Sequence, residues 1–176
     1  ELMDGDLVYE SRLGEGTVCT ITLPLTIDFE ASSTLNEHHA HDQAKLAGMN
    51  ILLAEDNDLN REIALFILTE AGAKATCADD GFKALSAFEQ ADAGTFDLIL
   101  MDIMMPNMNG YEATRAIRSL SREDARTIPI VAMSANAFTE DKVRCREAGM
   151  DGHLTKPIDS DKLIDALAKI MAAKEG

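Results

Sequence analysis

Four short polar segments of this chain carry residue types able to act on phosphorus: Glu55-Asp56, Asp102, Ser134 and Lys156-Pro157. Each ends or directly follows an apolar run of strand length. A carboxylate such as Asp102 is a nucleophile that can form an acyl phosphate. Glu55 and Asp56 would repel it and raise its proton affinity unless a cation sat among them. Mg²⁺ suits that task, because it favours near-octahedral oxygen donors and takes one or two carboxylates with waters and a phosphate oxygen. Lys156 and Ser134 add an ammonium and a hydroxyl, which can stabilise the equatorial oxygens of a phosphoryl group in transfer. Alone, an Asp after a strand is ordinarily a helix cap, and a Lys is ordinarily solvated surface. Their joint placement at successive strand ends favours chemistry.

That placement demands a scaffold, and the chain from Met49 onward supplies one. Apolar runs at 50–54, 73–78, 96–101, 128–133 and 152–155 read as strands. Between them Leu59, Ile63, Phe66 and Ile67 fall at helical spacing, as do Leu163, Leu167, Ile170 and Met171 in the last segment. Asn109 with Glu112 forms a capping-box pattern, Asp80 and Asp159 suit N-caps, and Gly72 and Gly149 stand where helices should stop. Strands alternating with helices predict an α/β fold, a doubly wound five-stranded parallel sheet of order 2-1-3-4-5. Such sheets bind ligands beyond the carboxyl ends of the strands, where strand order reverses. First and third strands are neighbours there, so Glu55, Asp56 and Asp102 converge, with Ser134 and Lys156 across the crevice.

Two further zones precede this one. Residues 1–26 hold two β-prone runs joined by Arg12-Leu13-Gly14-Glu15-Gly16, which predicts a hairpin separated from its parent domain. Residues 27–48 are polar and aperiodic and read as a linker, with His38, His39 and His41 as linker residues rather than a metal cluster. The opening Glu-Leu-Met-Asp reads as the start of a fragment, with no leader. The chain of 176 residues has a formal net charge of −15, which argues against nucleic acid or an anionic membrane surface and favours divalent cations and basic protein surfaces. No apolar run approaches the ~20 residues that span a bilayer. Cys19, Cys77 and Cys145 lack paired spacing and read as cytosolic thiols.

At these residues the sequence resembles the receiver domain of two-component signalling systems. The matching segments are Ile51-Leu52-Leu53-Ala54-Glu55-Asp56-Asn57, Leu100-Met101-Asp102-Ile103-Met104-Met105-Pro106-Asn107-Met108-Asn109-Gly110, Met133-Ser134-Ala135-Asn136-Ala137 and Leu154-Thr155-Lys156-Pro157. The resemblance implies a flavodoxin-like receiver over 49–176, in which Asp102 takes a phosphoryl group from phosphohistidine. It implies a pocket for Mg²⁺ (or Mn²⁺) formed by Asp102, Glu55 and Asp56, with Asp56 the closer ligand and the Met104 carbonyl completing the protein's share. Ser134 becomes the switch hydroxyl and Lys156 the phosphate-binding lysine, with a cis bond to Pro157. His153 stands where the family often carries Tyr or Phe, and is either a switch ring or a half-buried histidine of an outer strand. Met104 and Asn136, each two residues beyond a site residue, would gate the water that removes the phosphoryl group.

Gly14-Glu15-Gly16-Thr17 with Thr20-Ile21-Thr22-Leu23-Pro24-Leu25 resembles the closing hairpin of a histidine-kinase ATP-binding domain. Kinase end, linker, receiver is the layout of a hybrid sensor kinase. The implied fragment has no kinase activity and catalyses only its own phosphorylation and dephosphorylation. It is cytoplasmic, touches neither nucleic acid nor membrane, and belongs to a parent anchored through upstream segments. Its partner is a kinase phosphohistidine domain or a histidine phosphotransfer protein, and it either relays phosphate onward or modulates its own kinase. The face of helix four with strands four and five is the expected surface for a weak homodimer.

Three rival functions are disfavoured by particular residues. An aspartyl phosphatase would carry Asp-x-Asp after its first strand, whereas the residue two beyond Asp102 is Met104. A nucleotide or flavin binder needs glycines or hydroxyls after the first strand, and Glu55-Asp56-Asn57-Asp58 repels phosphate. A docking module without chemistry would have lost Asp102, Asp56 or Lys156, and all three are present.

Overall fold

The computed structural model of the protein describes residues 5–12, 14, 16–24, 46–135 and 139–174. The chain divides into two compact units, Glu1–His39 and Ala40–Gly176. In the first, β1 (Asp6–Arg12) and β2 (Gly16–Thr22) pair antiparallel, with Tyr9 opposite Cys19. Positive φ at Gly14 and Gly16 lets the chain reverse between them. Both strands are exposed along their whole length, so this hairpin builds no core of its own.

The second unit alternates strand and helix: β3 (Asn50–Ala54), α1 (Asp58–Glu70), β4 (Lys74–Ala78), α2 (Gly81–Gln90), β5 (Leu98–Asp102), α3 (Gly110–Arg118), the single turn α4 (Asp124–Thr127), β6 (Ile130–Ser134), α5 (Thr139–Ala148), β7 (Gly152–Thr155) and α6 (Ser160–Lys174). The sheet is parallel with spatial order β4-β3-β5-β6-β7, which is the expected 2-1-3-4-5. Side chains alternate across it. Ile51, Leu53, Leu98, Leu100, Val131 and Met133 pack with α1 and α6, while Leu52, Ala54, Ile99, Met101, Ile130 and Ala132 pack with α2, α3 and α5. Every residue of β5 and β6 is buried, and for this reason both read as continuous apolar runs rather than alternating ones.

The expected helix punctuation is present. Asp80 accepts the Lys83 N–H at 2.7 Å, Asp159 accepts that of Lys162 at 3.0 Å, and Asn109 and Glu112 form a reciprocal capping box. Gly72, at φ 85°, closes α1 with paired bonds from Gly72 N–H to the Thr69 carbonyl and from Ala73 N–H to the Leu68 carbonyl. Gly149 closes α5 in the same way.

Two expectations need revision. Residues 27–45 of the expected linker, His38, His39 and His41 among them, lie outside the described residues, but residues 46–48 belong to the folded body. Leu46 is fully buried among Ile51, Leu68 and Leu163, and its N–H donates to the Ala71 carbonyl. A single leucine ahead of a strand has no periodicity to announce such burial. On α1, spacing groups Leu59, Ile63, Phe66 and Ile67 on one face, yet only Ile67 is buried, with Ala64 and Leu68. Leu59, Ile63 and Phe66 remain 65%, 42% and 66% exposed. The helix is apolar on two sides, and periodicity cannot say which side meets the sheet.

Candidate functional site

The site forms where β3 and β5 run side by side and the chain leaves them in opposite directions. β3 is extended by the Glu55 N–H, which donates to the Ala78 carbonyl at 3.0 Å. Asn57 then starts α1 by accepting the Asn60 N–H at 3.1 Å. This turn buries Glu55 completely and leaves its neighbour Asp56 exposed. Asn60 Nδ2 donates to Glu55 Oε1 at 3.1 Å, and Arg61, which also pairs with Asp58, donates to the Glu55 carbonyl at 2.9 Å.

Asp102 ends β5, buried, and its Oδ1 accepts the Met104 N–H at 3.0 Å. Close approach from α3 is possible because residue 110 is glycine: a Cβ there would lie 2.2 Å from the Asp102 carbonyl oxygen. Lys156 enters from the far side. Its N–H donates to the Ser134 carbonyl at 2.7 Å, and the peptide bond to Pro157 is cis. Its Nζ then lies 2.6 Å from Asp102 Oδ2 and 2.9 Å and 2.7 Å from the two oxygens of Glu55.

Oxygens of Glu55, Asp56 and Asp102 lie within 4.8 Å of one another. Three carboxylates against one ammonium leave two negative charges uncompensated if all ionise, and a divalent cation would cancel them. Burial raises the Asp102 carboxyl above its ordinary range, and the nearby Glu55 charge adds to this. The hydrogen bonds from Lys156 and Met104 oppose it without prevailing. Burial pushes the Lys156 ammonium downward, but its bonds to Asp102 and Glu55 outweigh that and hold it above its usual value. Glu55 Oε2 is fully buried, and although it sits 2.7 Å from Nζ it has no aligned hydrogen bond. A hard, oxygen-lined pocket with an under-satisfied carboxylate and excess negative charge fits Mg²⁺.

Ser134 ends β6, and its Oγ shares a 2.7 Å hydrogen bond with Nε2 of the half-buried His153 on β7. The carbonyl-bearing residue Met104 is beside the pocket with its side chain exposed. Asn136 lies outside the described residues. Spacing alone did not reveal Asn60 and Arg61, which brace Glu55. The signal available was Asn57, whose capping geometry orients the first turn of α1 toward the pocket.

Fold and site together define a phosphoacceptor module of two-component signalling. The chain belongs to the response regulator receiver domain family, whose pattern matches residues 51–168. It is 36% identical over 158 residues to Histidine kinase 1 of Arabidopsis thaliana, covering 73% of this chain and 13% of that protein. It is 39% identical over 120 residues to the sensor histidine kinase RcsC of Salmonella typhi, covering 68% of this chain and 12% of that protein. The chain thus spans about one-eighth of the length of these relatives. Among solved structures it is similar to the receiver domain of sensor histidine kinase PA1611 from Pseudomonas aeruginosa PAO1, determined with a magnesium ion coordinated in the active site cleft. That similarity is 37% in identity with a TM-score of 0.64, over 72% of this chain and 99% of the other. No helix among the described residues is long and apolar enough to cross a membrane.

Proposed function

We propose that Asp102 accepts a phosphoryl group from a phosphohistidine in a Mg²⁺-dependent step, with Mn²⁺ able to substitute. The observation that carries this reading is the ammonium of Lys156 held between Asp102 and Glu55 in a pocket that still has negative charge to spare. An Asp102 carboxylate oxygen attacks phosphorus, the P–N bond breaks, and the donor imidazole nitrogen keeps the bonding pair. Lys156 and the Ser134 hydroxyl follow the charge onto the phosphoryl oxygens. Asp56, Asp102, Glu55 and the Met104 carbonyl would hold the ion, whose charge would offset that on the phosphoryl oxygens. Ser134 Oγ is bonded to His153 Nε2, so a turn of the hydroxyl toward the phosphoryl oxygen would alter that bond and tie the switch of β6 and β7 to the chemistry.

The donor is a helical phosphohistidine domain of a kinase or phosphotransfer protein. Leu59, Ile63 and Phe66 are exposed on α1, which begins two residues beyond Asp56, so an apolar helix surface seated on them would bring its histidine to Asp102. Phe66→Ser should slow transfer from such a donor about tenfold while leaving phosphorylation by acetyl phosphate unchanged. Residues 1–26 are read as the end of a kinase ATP-binding domain, and one exposed hairpin gives no basis for binding ATP. Met104 and Asn136 remain the proposed gate for hydrolysis. Exchanging them for Asn and Glu together should speed phosphoryl loss several-fold.

The deciding experiment is mass spectrometry after acetyl phosphate treatment. Wild type should gain one phosphoryl group, and Asp102→Asn none. A phosphorylated Asp102→Asn protein would refute the acceptor assignment.

A further inference from the structure

The reading above requires the backbone carbonyl of Met104 to meet the cation, so the loop 103–109 must be held still. Its ends are tied to neighbouring elements: Ile103 N–H donates to the Met133 carbonyl at 3.0 Å, and Gly110 N–H to the Ile103 carbonyl at 3.0 Å. Its middle is held from the connection between β4 and α2. Asn107 Nδ2 donates to Asp80 Oδ2 at 3.1 Å, and Gly81 N–H donates to the Met108 carbonyl at 3.2 Å.

Four features mark this contact as built. Asp80 is only 8% exposed, in a position where an unpaired carboxylate would be costly. Its two oxygens have separate tasks, since Oδ1 caps α2 through Lys83 N–H and Oδ2 takes Asn107. Asn107 has φ 63°, the left-handed conformation that Asn tolerates better than other side-chain-bearing residues and that turns its amide toward Asp80. Gly81 completes the fit, because a Cβ there would stand 2.4 Å from the Met108 carbonyl oxygen.

We propose that Asp80 and Asn107 form a clamp that positions the loop after the acceptor and thereby sets the affinity of the site for its divalent ion. Neither residue touches the reacting atoms; both are positioning residues, acting through the Met104 carbonyl. This rests on the Mg²⁺ reading of the site. The loop's ends would stay anchored without the clamp, so its loss should loosen the carbonyl rather than unfold the domain. Residues that orient metal ligands typically contribute tenfold or more to affinity.

The test uses the full chain and two substitutions that each spare one task. Asn107→Gly permits the left-handed backbone and removes the amide, at the cost of some added backbone freedom in the loop. Asp80→Ser keeps a good cap for α2 and removes the oxygen that holds Asn107. Mg²⁺ titration by calorimetry should show affinity weakened about tenfold in each variant, and no further in the double variant, because both remove one interaction. Amide resonances of 103–109 should shift or broaden without metal, while those of α2 stay in place. Affinities equal to wild type in both variants would overturn the clamp and leave the metal site standing. Absence of Mg²⁺ binding by wild type would overturn both. Should Asp80→Ser fail to fold, Asn107→Gly, which leaves the cap untouched, decides the matter.

Discussion

At the amino-terminal edge of the five-stranded sheet, Asp97 accepts the Asn50 N–H and Asp151 accepts that of Ile130, each at 2.8 Å. Arg118 there donates to the carbonyls of Gly149 and Ala125 and to Asp151. Nearby, Arg122 donates to the carbonyls of Phe88 and Ala91, pairs with Asp124 and lies 4.6 Å over the Phe88 ring. At the carboxyl edge three carboxylates cluster, one ammonium pairs with two of them, Glu55 and Asp102, and a buried Glu55 oxygen has no aligned partner. One edge saturates its polar groups and gains rigidity; the other keeps charge in reserve for an ion and a phosphoryl group. Stability and function are thus separated along the strand axis, as in other open α/β sheets.

If the separation is real, substitutions at the two edges should act on different observables. The largest effect is at the carboxyl edge, where Asp102→Asn should abolish phosphorylation while leaving the unfolding midpoint in urea no lower than wild type. It removes one of the charges that repel there. A clear loss of stability would show that Asp102 is structural as well.

Next in size is Arg118→Ala, which strips two backbone carbonyls and Asp151 of a partner that is mostly buried. Loss of about 2–4 kcal/mol is expected by urea unfolding. The surviving folded fraction should still gain one phosphoryl group. Failure to phosphorylate under native conditions would couple the edges after all.

Mg²⁺ offers a comparable gain in the opposite direction. At about a hundred times its dissociation constant the ion should stabilise wild type by about 2.7 kcal/mol. Asp56→Ala should lose most of that gain, and Arg118→Ala should keep it. Thermal unfolding with and without the ion reads all three.

The smallest effect is a pH dependence at the amino edge. Hydrogen bonds from Arg122 hold the Asp124 carboxyl down at about 2. Its ionised form favours the fold above the ordinary carboxylate range, and that contribution is lost as pH falls from about 4 through 2. Wild type should exceed Asp124→Asn by about 1 kcal/mol at neutral pH, the difference closing toward pH 2. A difference that persists in acid would assign the effect to packing.

How much of this was legible beforehand differs by residue. Asp80, Asn109 and Asp159 were readable as caps, because a short polar side chain before an apolar helix has one favourable use and that use is local. The five strands were readable too. Each begins or ends within two residues of its apolar run, and the acceptor strand reaches Asp102 itself. The approximate positions of Glu55, Asp102, Ser134 and Lys156 at one edge follow from strand order alone.

Other features depend on contacts that no local pattern encodes. Lys156 and Glu55 are 101 positions apart, and only the packed sheet brings them to 2.9 Å. Glu55 and Asp56 are adjacent and chemically alike, yet one is sealed in the core and the other faces solvent, according to the direction in which the chain turns into α1. No local pattern marks the roles of Arg118 and Arg122, because an arginine's reach is set by three-dimensional neighbours, not by spacing. The sequence by itself determined the sheet, its order and the residues at its carboxyl edge, since these rest on local apolar runs, caps and turns. Tertiary structure decided which face of α1 is left bare, which carboxylate is buried and how Asn107 meets Asp80, because burial depends on what packs against a residue rather than on the residue's own type.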